Sequence, residues 1–336
     1  MATTFKAFSP GDINTTVTNL HESIPITASI VTGTYDEANI KNYPADMFQS
    51  VYDYPFLSSS ANHIFDITVG YSSDCYLNDA DNTQNTKKVN IYNEFSRVLV
   101  MPDATGSVQN FDTDGNFDST SDKMTSCVFL PFSRLLVKDE IKKGSVQLTF
   151  LTGGAAPVTT PTTLYDAGAV TGYKVNSPAG EYGLLYGNAS GAGSALGHVY
   201  YQAGVIVLTS SVFSPFAPPG GAETILETLA TGSISGSAAA LRHRVDNLQF
   251  NNTTELNSTI YFCRANSNEF NYSANPSYLS SSQIVVKNFN TDIPVSYATT
   301  VGLYSSDQEL LAVAKISEPL KKDPTNELVL RVRLDY

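Results

Sequence analysis

Residues 111–122 read FDTDGNFDSTSD and place Asp112, Asp114, Asn116 and Asp118 at alternate positions around Gly115. Oxygen ligands at that spacing suit a hard divalent cation such as calcium. The glycine stands fourth from Asp112 where a calcium loop needs it sixth, and no glutamate closes the twelfth position. A turn closed by Asx hydrogen bonds is therefore the main expectation, with calcium at these four residues the alternative. Hydrolytic chemistry would need a nucleophile, a base and an orienting group. The histidines are His21, His63, His198 and His243. His63 and Asp66 stand three apart in an expected strand, which sends them to opposite faces. His21-Glu22 lacks the second histidine of a zinc-protease helix. Structural, hydrogen-bonded roles are expected for all four.

The glycine motifs fail as well. GAGSALG, residues 191–197, spaces its glycines one residue too long for a dinucleotide fingerprint and reads as a hairpin tip. No phosphate-cradling GxxxxGK[ST] and no GxSxG elbow occurs. Paired carboxylates for glycoside hydrolysis are spatial and cannot be read from spacing. The expectation is a protein that is not an enzyme and has no cofactor beyond calcium.

Elements that could position these residues are mostly strands. IPITASIV (24–31), IFDITVGY (64–71) and the closing ELVLRVRLDY alternate apolar with polar side chains, the signature of a half-buried strand. Hairpins are expected around Gln202-Ala203-Gly204 and around Ser305-Ser306-Asp307-Gln308, and such short links imply antiparallel pairing. Ile91, Phe95 and Leu99 recur every four residues and predict a helix over 87–100, with a second, short one over 220–232. TGGAAPVTTPTT (152–163) and GSISGSAAA (232–240) read as connections. The predicted class is mainly β, antiparallel, with sandwich or barrel-like domains and one or two short helices. The predicted domains are 1–152, 153–245 and 246–336.

Composition agrees with that class: 19 Tyr, 17 Phe, no Trp and only 15% charged residues, against about 25% in an ordinary soluble protein. A net charge of -12 argues against a nucleic-acid partner, which calls for a basic stripe. Three cysteines at unrelated spacings, Cys75, Cys127 and Cys263, give neither a zinc pattern nor an even disulfide count. Reduced, buried thiols are expected. The start of the chain lacks an apolar signal core, and no stretch is long and apolar enough to span a bilayer, so a soluble protein made in a cytosol, without a membrane partner, is expected.

Late in the chain EFNYSANPSY (269–278) combines Phe270, Tyr272 and Tyr278 with an Asn-Pro break that forbids helix. This segment, with AGEYGLLYG, GHVYYQAGVIVLTSSVF and VGLYSSDQELLAVAKISEPLKKDPTNELVLRVRLDY, resembles virion structural proteins of contractile-tailed bacteriophages, marine and cyanobacterial ones in particular. The resemblance is strongest over roughly the final 90 residues and carries no catalytic motif. It implies a non-enzymatic structural subunit of a phage particle, in tail, baseplate or neck. Such a subunit would assemble in the host bacterial cytoplasm as a homo-oligomer that binds other virion structural proteins. The alternative is a surface receptor- or glycan-binding module, or a head decoration protein. Under the assembly reading Phe270, Tyr272 and Tyr278 cover a sheet end or enter a neighbouring subunit. Lys315, Arg331 and Arg333 are then outward cations on edge strands.

Overall fold

Runs of Val, Ile, Thr, Tyr and Phe between Gly, Asn and Asp turns set the architecture, because β-branched and aromatic side chains fit a pleated surface. The structure is a computed structural model that describes residues 5–26, 37–43, 47–79, 84–117, 122–151, 161–213, 232–272, 279–280, 283–284, 289 and 291–336. In chain order the first strands are β1 (Ile13–Pro25), β2 (Ile40–Asn42), β3 (Gln49–Tyr52) and β4 (His63–Tyr71), followed by helix α1 (Asn85–Leu99). Next come β5 (Phe111–Asp112), β6 (Lys123–Met124), β7 (Ser126–Pro131), the single turn α2 (Arg134–Val137), β8 (Glu140–Ile141), β9 (Gln147–Leu151) and β10 (Pro161–Tyr165). The turn α3 (Ala169–Gly172) precedes β11 (Tyr182–Leu185), β12 (Gly197–Tyr200), β13 (Val205–Thr209) and helix α4 (Ile234–Arg242). The chain closes with β14 (Val245–Ala265), β15 (Leu279–Ser280), β16 (Gln283–Ile284), β17 (Ser296–Tyr304), β18 (Leu310–Lys322) and β19 (Leu328–Asp335). The fold is mainly β, antiparallel and sandwich-like.

Contacts divide the chain into a larger unit, Leu20–Thr254, and a smaller one made of Met1–Asn19 and Glu255–Tyr336. Composition had suggested boundaries near 152 and 245. β9 and β10 pair directly across the first of these, and the second coincides with the start of β14.

The larger unit holds a seven-stranded antiparallel sheet in the order β11-β12-β13-β7-β4-β3-β2. A second sheet is formed by β10, β9, β8 and the first part of β14. Edge-to-face pairs Phe132–Phe250 and Phe150–Phe213, each with centroids 5.2 Å apart, fill the space within this unit. Both α1 and α4 pack on β4. Phe95 of α1 stacks on Phe129 of β7 at 4.2 Å, and the Tyr92 hydroxyl donates to the Met124 carbonyl at 2.8 Å. Gly70 is what lets α1 approach: a Cβ there would stand 2.7 Å from the Lys88 carbonyl oxygen and 2.9 Å from the Tyr92 nitrogen.

In the smaller unit the far end of β14 pairs with β19, from Ser258↔Asp335 to Ala265↔Leu328, and β17 pairs with β18 as a long hairpin. The Ser305–Glu309 turn is closed by the Ser305 N–H on the Glu309 carbonyl at 2.9 Å. The turn expected at 202–204 joins β12 to β13, and GAGSALG lies in the β11–β12 connection.

Several expectations change. Of the strand expected over 24–31, only Ile24 and Pro25 fall in a strand, as the end of β1; Ile26 is in a turn, and 27–31 lie outside the described residues. β4 is buried on both faces instead of one, since helices cover it and the second sheet lies within the same unit. Residues 232–240, read as a connection, hold most of α4. Ser233 caps it by accepting from the Gly236 N–H at 3.0 Å, and the alanine run that looked like a linker is a strong helix former with Ala238 and Ala240 buried. Pro161, Thr162 and Thr163 open β10, where a proline at the first position costs no ladder bond. The helix expected over 220–232 falls outside the described residues up to 231.

Candidate functional site

The smaller unit contains a pocket of about 740 Å³ lined by its N-terminal segment, the end of β14, the loop that follows, β17 with its turn, and β19. That volume falls in the range of about 300–1,000 Å³ usual for ligand sites. Two of the residues singled out from sequence, Phe270 and Tyr272, line it together with Phe5, Tyr297 and Tyr304. Tyr278 lies outside the described residues.

Local chemistry holds the loop in place. The Asn266 N–H donates to Glu269 Oε2 at 3.0 Å, and the Asn271 side-chain amide donates to the Ser267 carbonyl at 2.8 Å. Lys322 is buried, and its three protons go to Asn271 Oδ1 at 2.7 Å, the Asp323 carbonyl at 2.9 Å and the Ser267 carbonyl at 3.2 Å. Phe270 sits between these anchors at φ 53°, with its carbonyl accepting from the Ser296 hydroxyl. A left-handed backbone costs an aromatic residue about 1–3 kcal/mol, so the surrounding bonds over-determine the position of this ring. The Phe5 ring meets Tyr304 edge-on at 4.8 Å.

Apart from buried Lys322, the charged groups of the pocket lining are ion-paired within the unit. Lys6 binds Glu269, and Arg264 Nε donates to Asp12 Oδ1 at 2.5 Å. The Arg264 hydrogen bond, helped by the Ser9 N–H, holds the Asp12 carboxyl below its ordinary range. On β19, Leu328 and Leu330 face the pocket while Val329, Arg331 and Arg333 are exposed, which is the alternation expected from sequence. Arg333 bonds Asp335 at 2.7 Å and Ser258 at 3.0 Å. Lys315 is exposed on β18, and neither it nor Arg331 makes an ion pair among the described residues.

The acidic loop folds as an Asx turn. Asn116 N–H donates to Asp114 Oδ1 at 3.0 Å and Phe117 N–H to Asp112 Oδ2 at 3.1 Å. Pairing of β5 with β6 sets Lys123 opposite Asp112, and its Nζ lies 2.6 Å from Asp112 Oδ2. Burial pushes the Asp112 carboxyl up, and Lys123 opposes that shift. Asp122, which spacing did not single out, joins Asp112 and Asp114 within 4.8 Å, while Asp118 lies outside the described residues. The chain thus brings its own ammonium to the place where the carboxylate oxygens converge.

Among the described residues, His63 and His198 have structural partners. His63 Nε2 lies 2.8 Å from Asp66 Oδ1, contrary to the opposite-face expectation, because His63 begins β4 at a register shift against β3. The Ser50 hydroxyl donates to the same Asp66 oxygen and not to the imidazole, and Ser50 is buried. His198 is buried among Tyr182, Tyr200 and Phe111, and burial pushes its imidazole down to about 4. Cys75 and Cys127 are buried free thiols, whereas Cys263 is half-buried on the pocket wall.

Comparison with protein families, curated proteins and solved structures finds no match.

Proposed function

We propose that this chain is a non-enzymatic structural subunit of a contractile-tailed phage particle, placed in tail, baseplate or neck, that assembles with its own copies and with other virion proteins. The observation that carries the assembly part is the thin core of the smaller unit. Among its described residues only Leu303 and Val332 are buried apolar side chains, whereas the larger unit has a continuous core. A unit of that size ordinarily buries more than half of its chain's surface.

Its missing apolar burial is displayed on the outside. Leu311 and Val313 of β18 are 69% and 55% exposed, and Val329 of β19 is 54% exposed. Covering the part that each leaves exposed contributes roughly 1–2 kcal/mol. Lys315, on the face of Val313, and Arg331, on the face of Val329, discourage indiscriminate strand pairing while leaving the apolar positions open to a matched partner. The phage part of the proposal is supported by the segment resemblances of the C-terminal region. Low charge density with abundant tyrosine suits broad polar and aromatic interfaces.

Mass spectrometry of purified particles of the encoding phage tests this directly. The expected result is this chain at a fixed stoichiometry to the other tail proteins after density-gradient purification. Its absence from purified particles, with presence in the infected-cell lysate, would overturn the proposal.

A further inference from the structure

We infer that the pocket of the smaller unit binds a neutral oligosaccharide. The lining leaves only certain chemistry unspent. Lys6 is taken by Glu269, Asp12 by Arg264, and the three protons of Lys322 by acceptors of the 267–271 loop and Asp323. The Lys322 ammonium is 1% exposed and has no proton left to give, so an anion would lose hydration without gaining a hydrogen bond from it, and the remaining charged groups of the lining are already ion-paired. What the lining offers instead is aromatic surface and uncharged hydrogen-bonding groups.

The ring surface comes from Phe5, Phe270, Tyr272, Tyr297 and Tyr304, all partly open to solvent, with Tyr297 at 61% and Tyr272 at 39% exposure. The hydroxyls of Tyr272, Tyr297 and Tyr304 make no hydrogen bond among the described residues. The Ser306 hydroxyl and the Gln308 amide, at the tip of the β17–β18 turn, are likewise uncommitted. A purely apolar ligand would strip water from these groups and give nothing back. A pyranose matches both sets: its C–H face packs on an aromatic ring, and its equatorial hydroxyls exchange hydrogen bonds with groups at the ring edge.

The site is also built in advance. Gln308 is fixed at φ 65° by its N–H on the Ser305 carbonyl, and the Ser305 hydroxyl accepts from the Asp307 and Glu309 N–H groups, both at 3.2 Å. Phe270 is anchored by Ser296 and by the Lys322 cluster. Little ordering therefore remains to oppose binding. The pocket is separate from the side chains offered for assembly, since none of Leu311, Val313 and Val329 lines it.

The test is saturation-transfer NMR on the full chain with three neutral probes, cellohexaose, maltohexaose and chitohexaose. A heparin hexasaccharide serves as anionic comparator and Nile red as apolar comparator. At least one neutral hexaose is expected to receive saturation at its ring C–H protons. Tyr272→Ala and Tyr297→Ala, which remove exposed rings without deleting an intramolecular hydrogen bond, should each weaken that binding about tenfold with unchanged melting. Absence of transfer to all three neutral probes would overturn the inference. Binding unaltered in both variants would do so too, as would preference for the heparin fragment or for Nile red over every neutral sugar.

Discussion

Asp166 is the carboxylate whose ionisation the fold opposes most clearly. It is buried, accepts from the Gly144 N–H at 2.6 Å, the Val146 N–H at 3.0 Å and the Tyr201 hydroxyl at 3.2 Å, and still rises from 3.8 to about 6 because burial outweighs those donors. Between those two values the native state keeps a proton that the unfolded chain has already released, so stability falls as pH rises through the window and is level above it. A gap of about two pH units, at roughly 1.4 kcal/mol each, amounts to about 3 kcal/mol. Urea melts from pH 4 to 7 should show the native chain losing about that much relative to Asp166→Asn, which cannot ionise; parallel profiles would contradict the assignment. Asp323 has the opposite sign. Thr325 and Lys321 hold it down at about 2, so its contribution is complete above the ordinary carboxylate range and is lost only as pH falls toward 2. Phe270 and Tyr272 stood out in sequence, as interface residues, because aromatic composition and an Asn-Pro break are local signals, whereas the pocket they line was not legible. Nor was Asp166, since its environment is made by Gly144, Val146 and Tyr201 from distant parts of the chain.

β19 is the element whose sequence pattern and structure agree most fully. Leu328, Leu330, Val332 and Leu334 alternate with exposed Val329, Arg331, Arg333 and Asp335, and the strand pairs residue for residue with β14. Deleting residues 329–336 removes that ladder and Val332, one of the two buried apolar side chains among the described residues of the smaller unit. Hydrogen exchange is expected to show amides 258–265 losing protection at least tenfold while β4 and β7 in the larger unit stay protected. Unchanged protection of 258–265 would show that β19 does not hold this stretch. Helix α1 was readable from its four-residue apolar spacing. α4 was hidden, because Gly, Ser and Ala describe a linker and a capped alanine helix equally well until Ser233 is seen accepting from Gly236. Burial of both faces of β4 could not be read either, since alternation reports the strand and not what later covers its second face.

The molecule joins a larger unit with a continuous aromatic and aliphatic core to a smaller unit that leaves apolar side chains uncovered. Its class was legible as a whole from turn spacing and composition. Its division into units was not, because the smaller one is assembled from both ends of the chain. A net charge of -12 keeps free copies apart at low salt, so association should strengthen as salt screens that repulsion. Association of copies through Leu311 and Val313 of β18 can be read from the mass of the purified full chain in light scattering, over a range of concentrations and at physiological salt. The expected mass is a multiple of 36.2 kDa that returns to 36.2 kDa in the Leu311→Asp, Val313→Asp double variant. A 36.2 kDa particle at every concentration, or an oligomer indifferent to the double substitution, would contradict it.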